Sequence, residues 1–390
     1  MDQATALKTV PRGARPPLVA ERFRFIQPTL PDLDRLLALY RPAFRSGMIT
    51  NADLVASLEA AVAERLGVKH CVAVSSCTSG LMLVLRALGV TGRVIVPSFT
   101  FFATGHAVLW NALEPVFADC LADAWTIDPA SAGKRIAPDV AAILGVHLYG
   151  NPCRVDELET LARRHGLKLI FDAAHAFGSL YRGRPVGGFG DAEVFSLSPT
   201  KLLVAGEGGL VTTNDQTLAR RLRAGRNYGD PGDYDPELVG LNARMSEFQA
   251  ALALAGLEMI DGKLARHNRI AAMYTRRLEG GAGLGFQHVS PLDRSTYKDY
   301  SVHIDAASFG MSRDEAAERL RADNIETRKY FDPPLHRQKL YAGFHRPDRE
   351  PLLVTDDIAR GILSLPIYES LGDDTVEKVA LAIRRLEEGE

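Results

Sequence analysis

The chain has 390 residues, 46% of them hydrophobic, with 48 acidic against 46 basic side chains and a formal net charge of −2. The two signs are interspersed, so no basic stripe is offered to nucleic acid and no polybasic or amphipathic segment to a membrane; the expected partners are small molecules or a second copy of the chain. Cys71, Cys77, Cys120 and Cys153 are widely separated with no C-x-x-C pair, a spacing that suggests neither a disulfide framework nor a metal site and fits a reducing cytoplasm.

Residues 1–48 are rich in Pro and Arg and read as an extended N-terminal arm, docked on the body from Phe23 onward. The first residues hold no apolar h-region and no later stretch reaches the length of a membrane span, so a cytoplasmic protein is expected. A helix starts near Thr50 or Asn51, sets Leu54, Leu58, Val62 and Leu66 on one face, and ends at Gly67. Val72–Val74 is a short strand running into Ser75-Ser76-Cys77-Thr78-Ser79-Gly80, and Leu81 to Leu88 is an apolar helix. Strand, hydroxyl-rich turn and helix in that order place free backbone N–H groups and the positive end of a helix dipole beside Thr78 and Ser79, a place for an anion. A plain Ser or Thr N-cap is the commoner use of such a turn.

Val94 to Thr104 reads as a buried strand ending in a turn that carries Phe99, Phe101 and Phe102. Aromatic residues at a strand end are usually core, though one of them could present its face to a flat ring. Ala141 to Val146 and Lys168 to Asp172 are near-continuous apolar strands separated by an amphipathic helix from Val155 to His165, closed by Gly166. Buried strands alternating with helices predict a mostly parallel sheet covered on both faces. The second of these strands ends in Asp172-Ala-Ala-His175, and ligands of such sheets bind outside the carboxyl ends of the strands; an Asx-turn or helix cap is the alternative use of Asp172.

Val194, Phe195 and Leu197 end a further buried strand, after which Ser198, Pro199 and Thr200 force a turn that presents Lys201 beside Gly206, Gly208 and Gly209. Lysine ordinarily belongs to a solvated helix face, and a surface loop lysine is the competing reading. In an apolar, small-residue setting desolvation would instead favour the neutral, nucleophilic amine, which can form a Schiff base. Gly209 to Thr213 is a strand, and Leu218 to Ala224 a basic helix with a solvated face. Residues 240–261 open as a polar turn and continue as a helix with Met245, Phe248, Leu252 and Met259 on its apolar side.

From about Gly262 the texture changes to a charged helix (Ala265 to Leu278), a Gly-rich break, a strand (Tyr300 to Ile304), a helix capped by Ser312 with Glu315, and a final helix from Asp374. The expected organisation is therefore an arm (1–48), a large α/β domain with a mostly parallel sheet (49–261), and a smaller α+β C-terminal domain (262–390).

The polar residues of the large domain fall at strand ends: Thr78 and Ser79, Phe101, Asp172 and His175, Ser196 and Lys201. They form an inventory for pyridoxal 5′-phosphate. Its phosphate needs hydroxyls and a helix N-terminus, its pyridinium nitrogen a carboxylate, its ring face an aromatic, and its aldehyde an amine. The carboxylate raises the pKa of the ring nitrogen and keeps it protonated, which makes the ring an electron sink.

In this order and spacing the motifs Cys77-Thr78-Ser79-Gly80-Leu81, Pro97 through Thr104, Asp172-Ala-Ala-His175, Ser196 to Lys201 with Gly206-Glu-Gly-Gly209, and Gly240-Leu-Asn-Ala-Arg-Met-Ser-Glu247 resemble the DegT/StrS family of PLP-dependent nucleotide-sugar aminotransferases, of fold type I. The likeness runs from Ser46-Gly47 to Leu365-Pro366. It implies Lys201 as the Schiff-base lysine, Asp172 as partner of the ring nitrogen, His175 near the phenolic oxygen and Phe101 on the ring. It further implies that Thr78, Ser79 and Ser196 hold the phosphate, joined by Asn242 and Arg244 from the second subunit of a homodimer, and that His336 approaches the sugar. Cys77 stands where the family usually has glycine, Gly80 where alanine is frequent and Phe101 where tryptophan is frequent, none of which removes a chemical function. Leu197-Ser-Pro-Thr200 also departs from the commoner residues, at a place that bears on which sugar is used.

The resemblance implies transfer of an amino group from L-glutamate to a nucleotide-linked keto-sugar, with pyridoxamine 5′-phosphate as the intermediate cofactor form. The stretches Gly145 to Tyr149, Phe171 to His175 and Glu193 to Ser196 are most similar to members acting at C4 of a dTDP-4-keto-6-deoxyhexose; C3 keto-sugars, UDP-linked sugars and aminocyclitol precursors are the alternatives. A sugar dehydratase of the same family typically carries histidine in place of the lysine, and Lys201 argues against it. A non-enzymatic regulator would have no reason to keep lysine, aspartate and phosphate ligands together. A nicotinamide-dependent dehydrogenase lacks its G-x-G-x-x-G here.

Overall fold

The computed structural model describes residues 23–389 apart from 347 and 349. Within the arm, where an extended chain was expected, helix α1 (Leu33–Ser46) forms, capped by Asp32 and closed by Gly47 in the left-handed region. Leu36, Leu39, Tyr40 and Ala43 have helical spacing and pack around Ala251, which explains the difference,. The first 22 residues of the arm, including the stretch read for an h-region, lie outside the described residues.

Helix α2 (Asp53–Leu66) buries Val55, Leu58, Val62 and Leu66 and ends at Gly67 as read. Strand β1 (His70–Val74) leads into α3 (Cys77–Ala87), which starts at Cys77 rather than Leu81 because Ser76 and Ser79 close a capping box,. Strand β2 (Arg93–Pro97) stops well short of Thr104; a turn intervenes and α4 (Phe102–Trp110) begins. There follow β3 (Glu114–Ala118), α5 (Pro129–Lys134), β4 (Val140–Val146), α6 (Val155–His165), β5 (Lys168–Asp172), β6 (Ala192–Ser196), β7 (Gly209–Thr213) and α7 (Gln216–Gly225). Opposite its basic face, helix α7 buries Leu218, Ala219 and Leu222.

These seven strands form one sheet in the order β1-β7-β6-β5-β4-β2-β3. Strands β2 to β6 run parallel, and β7 is antiparallel to both of its neighbours. Side chains alternate between faces along each strand. Ile143, Leu169 and Phe171 enter one apolar cluster with residues of α2, α6 and α8, while Leu144, Ile170 and Val194 enter another with α3. Both faces are therefore covered, which is why the strands read as unbroken apolar runs.

Helix α8 (Glu247–Leu257) buries Ala250, Ala251, Ala253 and Ala255. Phe248, expected on its apolar side, is 52% exposed and stacks on Tyr40, and Met245 is buried in the turn before the helix. Helix α9 (Ile260–Leu278) joins the two halves: Ile260 and Leu264 belong to a cluster of the large sheet, Ile270, Tyr274 and Leu278 to a separate one. That separate cluster covers an antiparallel sheet, β8 (Leu284–Phe286), β9 (Tyr300–Ile304) and β10 (Ile362–Leu365), against α10 (Arg313–Ala322) and α12 (Asp373–Glu387). Helix α11 (Leu353–Gly361) precedes β10, and Ser312 with Glu315 forms the expected capping box of α10. No helix among the described residues is long and apolar enough to cross a membrane.

Candidate active site

Strands β2, β4, β5 and β6 run in one direction and end at Pro97, Val146, Asp172 and Ser196. Beyond such carboxyl ends the connecting loops part and leave a crevice. A cavity of about 330 Å³ lies there, walled by Ser76, Cys77 and Thr78 from the start of α3, Thr100 and Phe101 from the turn after β2, Asp172 and His175 after β5, and Ser196 and Lys201 after β6. Lys298, Asp299, Tyr330 and Phe331 close it from the C-terminal half. A wider groove of about 780 Å³ beside α7 is lined by Arg220, Arg223, Arg226 and Asn227. It holds neither a lysine amine nor a buried carboxylate, so the chemistry points to the smaller cavity.

Asp172 is buried at the tip of β5. Its Oδ2 accepts the hydroxyl of Thr104 at 2.8 Å and its Oδ1 the backbone N–H of Ala174 at 3.1 Å. Burial pushes its pKa up, and those two donors together with the Lys201 cation oppose the rise. The Cys77 thiol lies 3.9 Å from Oδ1; burial and the neighbouring carboxylate push it up, so it is a neutral, packed thiol.

Lys201 follows a tight turn in which its own N–H donates to the Ser198 carbonyl at 3.0 Å. Among the described residues no hydrogen bond or ion pair engages its Nζ. Burial brings the amine down to about 8, with the Lys298 cation pulling in the same direction,. The loop returns to the sheet at Gly209, where a Cβ would lie 2.6 Å from the Ser76 carbonyl carbon and 2.7 Å from the Cys77 nitrogen. Glycine is thus what lets the lysine loop pass beside the start of α3.

At that start the Ser76 and Ser79 side chains satisfy each other's backbone N–H groups, while the N–H groups of Cys77 and Thr78 donate to nothing else among the described residues. Two free donors at the positive end of a helix make an anion seat. Gly80, the other departure in this helix, is required by packing, since a Cβ there would meet Val194 at 2.7 Å. His175 accepts the Tyr149 N–H on Nδ1 at 3.1 Å, which leaves its proton on Nε2,. Burial and the nearby lysine cations hold the ring well below its ordinary pKa, so it is a neutral donor.

Of the residues singled out in the sequence, Lys201, Asp172, Thr78, Phe101, His175 and Ser196 line this one cavity. Four do not. The Ser79 hydroxyl is turned into the cap of α3, where it accepts the Ser76 N–H at 3.1 Å. Asn242 is exposed, and Arg244 bonds the Asn227 side chain at 2.5 Å over the Tyr228 ring. His336 is buried between Ser98, at 2.7 Å from Nδ1, and Asp356, at 3.1 Å from Nε2. Sequence reasoning missed Ser76, Thr104, Lys298, Asp299, Tyr330 and Phe331. An N-cap hydroxyl at the same strand end was the available signal for Ser76; the last four come from a distant part of the chain.

The profile of the DegT/DnrJ/EryC1/StrS aminotransferase family matches residues 34–384. The chain belongs to this family. Among its DegT/StrS relatives is the dTDP-4-amino-4,6-dideoxy-D-glucose transaminase of Escherichia coli, 34% identical over 355 residues, covering 90% of this chain and 95% of the relative. Another is the dTDP-3-amino-3,4,6-trideoxy-alpha-D-glucose transaminase of Streptomyces venezuelae, 38% identical over 318 residues and covering 81% and 82%. Among solved structures, that of DesI in the presence of its TDP-sugar product superposes with a TM-score of 0.90 at 39% identity, over 95% of this chain and 94% of that one. The expectations of this family, of an α/β fold type I architecture with a mostly parallel sheet, and of a PLP-dependent transaminase are borne out.

Proposed function

We propose that this DegT/StrS aminotransferase binds pyridoxal 5′-phosphate and moves the amino group of L-glutamate to a nucleotide-linked keto-sugar, at C4 of a dTDP-4-keto-6-deoxyhexose, as a homodimer with shared sites. The observation that carries the reading is a lysine amine without a hydrogen-bond partner in the same cavity as a buried, doubly held aspartate. The residues fit the cofactor on four counts. The Cys77 and Thr78 N–H groups with the Thr78, Ser76 and Ser196 hydroxyls suit a phosphate. Asp172 keeps lone pairs free to hold a proton at a ring nitrogen. His175 offers an Nε2–H to a phenolic oxygen, and Phe101, 44% exposed and packed on Phe102, borders the cavity where a ring would lie.

When bound, the cofactor supplies a carbonyl for amine exchange and an electron sink for the carbanion left when a proton departs from an amino-acid Cα. Lys201, lowered to about 8, removes that Cα proton as a neutral amine and, in the second half of the reaction, returns a proton at the sugar carbon that gains nitrogen,. Asp172 keeps the ring nitrogen protonated throughout, and Phe331 and Tyr330 cover the cavity against water. Asn242 and Arg244 lie away from their own cavity, and Leu33, Leu37, Phe44 and Phe248 form exposed apolar surface near them in sequence or on α1 and α8; both observations support a partner subunit that receives them.

The names of the Escherichia coli relative and of the DesI complex support a dTDP-linked sugar, and the former supports C4. The name of the Streptomyces venezuelae relative favours C3 as the second reading. The test supplies dTDP-4-keto-6-deoxyglucose and L-glutamate and follows both products by mass. Equimolar 2-oxoglutarate and an amino-sugar nucleotide are expected. A nitrogen-free product lighter by one water would put the dehydratase in its place, and cofactor binding without turnover of any keto-sugar would put the regulator there.

A further inference from the structure

Lys263, in the first turn of α9, is 4% exposed and lies outside the cavity described above. Its Nζ donates to two backbone carbonyls, that of Leu202 at 3.1 Å and that of Thr29 in the arm at 2.7 Å. Burial pushes its pKa down, and the Glu369 carboxylate opposes the fall,. A buried ammonium is a costly donor where a neutral group or a water would satisfy a carbonyl; what it adds is a pair of charge-assisted bonds that hold their acceptors firmly. Leu202 is the residue after Lys201. The turn that carries the lysine is closed by the Lys201 N–H on the Ser198 carbonyl and by the Ala205 N–H on the Leu197 carbonyl at 2.8 Å. Between them, among the described residues, the bond from Lys263 is the one hydrogen bond that engages the backbone of Leu202, Leu203 and Val204. The arm residues Ile26, Gln27 and Pro28 line a narrow cleft together with Pro199, Thr200 and Lys201. Just upstream the arm is tied to the C-terminal half, where the Phe25 N–H donates to Glu326 Oε2 at 3.0 Å.

We propose that Lys263 is a positioning residue for Lys201: by clamping the Leu202 carbonyl to the arm it fixes the peptide next to the reactive lysine, so that the amine stays within proton-transfer reach of the substrate carbon once it is free of the cofactor. This rests on the role given to Lys201 in the function proposed above. A lysine amine sits on a flexible four-carbon stem, so its reach is set by where the backbone is held. A loop that shifts by about an ångström costs catalysis far more than it costs folding. The loop cannot hold itself, because Leu202, Leu203 and Val204 are buried apolar side chains with no polar group to anchor their backbone.

The test compares wild type, Lys263→Met and Lys263→Arg in two measurements. In cofactor-free protein, hydrogen exchange is followed by mass in peptides covering residues 197–206 and 23–32, with strand β5 as the reference. Lys263→Met should speed exchange of the loop and arm peptides by at least about tenfold and leave β5 unchanged, since the effect is a local opening. Lys263→Arg, which keeps a charged donor, should recover part of the protection. In the loaded enzyme, the half-reaction with L-glutamate is followed in single turnovers with protium and with deuterium at Cα. Lys263→Met should slow it by about ten- to a hundredfold while glutamate affinity stays within about twofold. The deuterium effect should grow, because the proton moved by Lys201 becomes the slow step, and Lys263→Arg should restore part of the rate. Unchanged exchange in 197–206, exchange raised equally in β5, or a half-reaction as fast in Lys263→Met as in the wild type would overturn the role of Lys263. A half-reaction as fast in Lys201→Ala as in the wild type would instead bring down the role of Lys201, and this inference with it.

Discussion

At the scale of single residues the molecule is defined by a lysine placed where a cation is poorly solvated. Lys201 falls from an ordinary 10.5 to about 8 through burial, with Lys298 adding to the effect. Because the folded value is the lower one, the unfolded chain holds more protons between about pH 8 and 10.5, and stability contributed by this site rises with pH across that window. Below about pH 8 the cost of the buried charge is fully present. In cofactor-free protein Lys201→Met removes it, so the variant should be more stable than the wild type to urea unfolding at pH 7, by on the order of 2 kcal/mol once screening by cavity water is allowed for. The gap should narrow towards pH 10. A wild type as stable as Lys201→Met at pH 7 would contradict the desolvated placement. Asp172 was legible in the sequence because it ends a buried strand, and Lys201 because it follows one by a short Ser-Pro-Thr turn, so that both positions are set locally. Lys298 and Asp299 were not, since only tertiary folding brings the approach to β9 over the ends of β5 and β6.

Among the elements, α2 shows how a helix can depend on a residue far along the chain. Ala52 at its cap position provides no side-chain acceptor. Glu247, buried in the first turn of α8, provides it instead: Oε1 accepts the N–H groups of Ala52 and Val55 at 2.9 and 3.1 Å, and Oε2 that of Leu54 at 2.7 Å. A carboxylate there also faces the positive end of the helix dipole. Glu247→Ala would leave three donors without a partner and is expected to cost about 2–4 kcal/mol in urea unfolding, with Glu247→Gln less damaging. A cost below about 0.5 kcal/mol would show that water or a backbone shift replaces the cap. The ends of α2 and α6 at Gly67 and Gly166, and the capping box of α10, were readable because those caps are local. The start of α2 was not, and neither was the burial of alanines in place of Phe248 on α8, where close packing against α1 and α2 outweighs side-chain size.

For the whole molecule, the alternation of apolar strands with amphipathic helices carried the sheet and its covered faces, while the start of α4 escaped notice because Val94 to Thr104 reads as one run, and β3, beyond it, was not read as a strand. We propose that the division into a large and a small domain falls within α9, whose two ends serve different cores. We also propose that α1 and the 240–247 turn meet a second subunit. Mixing inactive Lys201→Ala with an inactive Asn242→Ala protein under subunit exchange should then restore activity, because one of the two sites in a hybrid carries neither defect. Absence of recovery with hybrids demonstrated would put both residues in a single chain's site. All of this depends on one covalent attachment, and the cavity holds two lysines that could accept it. The most direct measurement is borohydride reduction of the protein loaded with pyridoxal 5′-phosphate, followed by peptide mass spectrometry. The account predicts the reduced cofactor on Lys201 and its loss in Lys201→Ala; a label on Lys298, or on neither lysine, would contradict it.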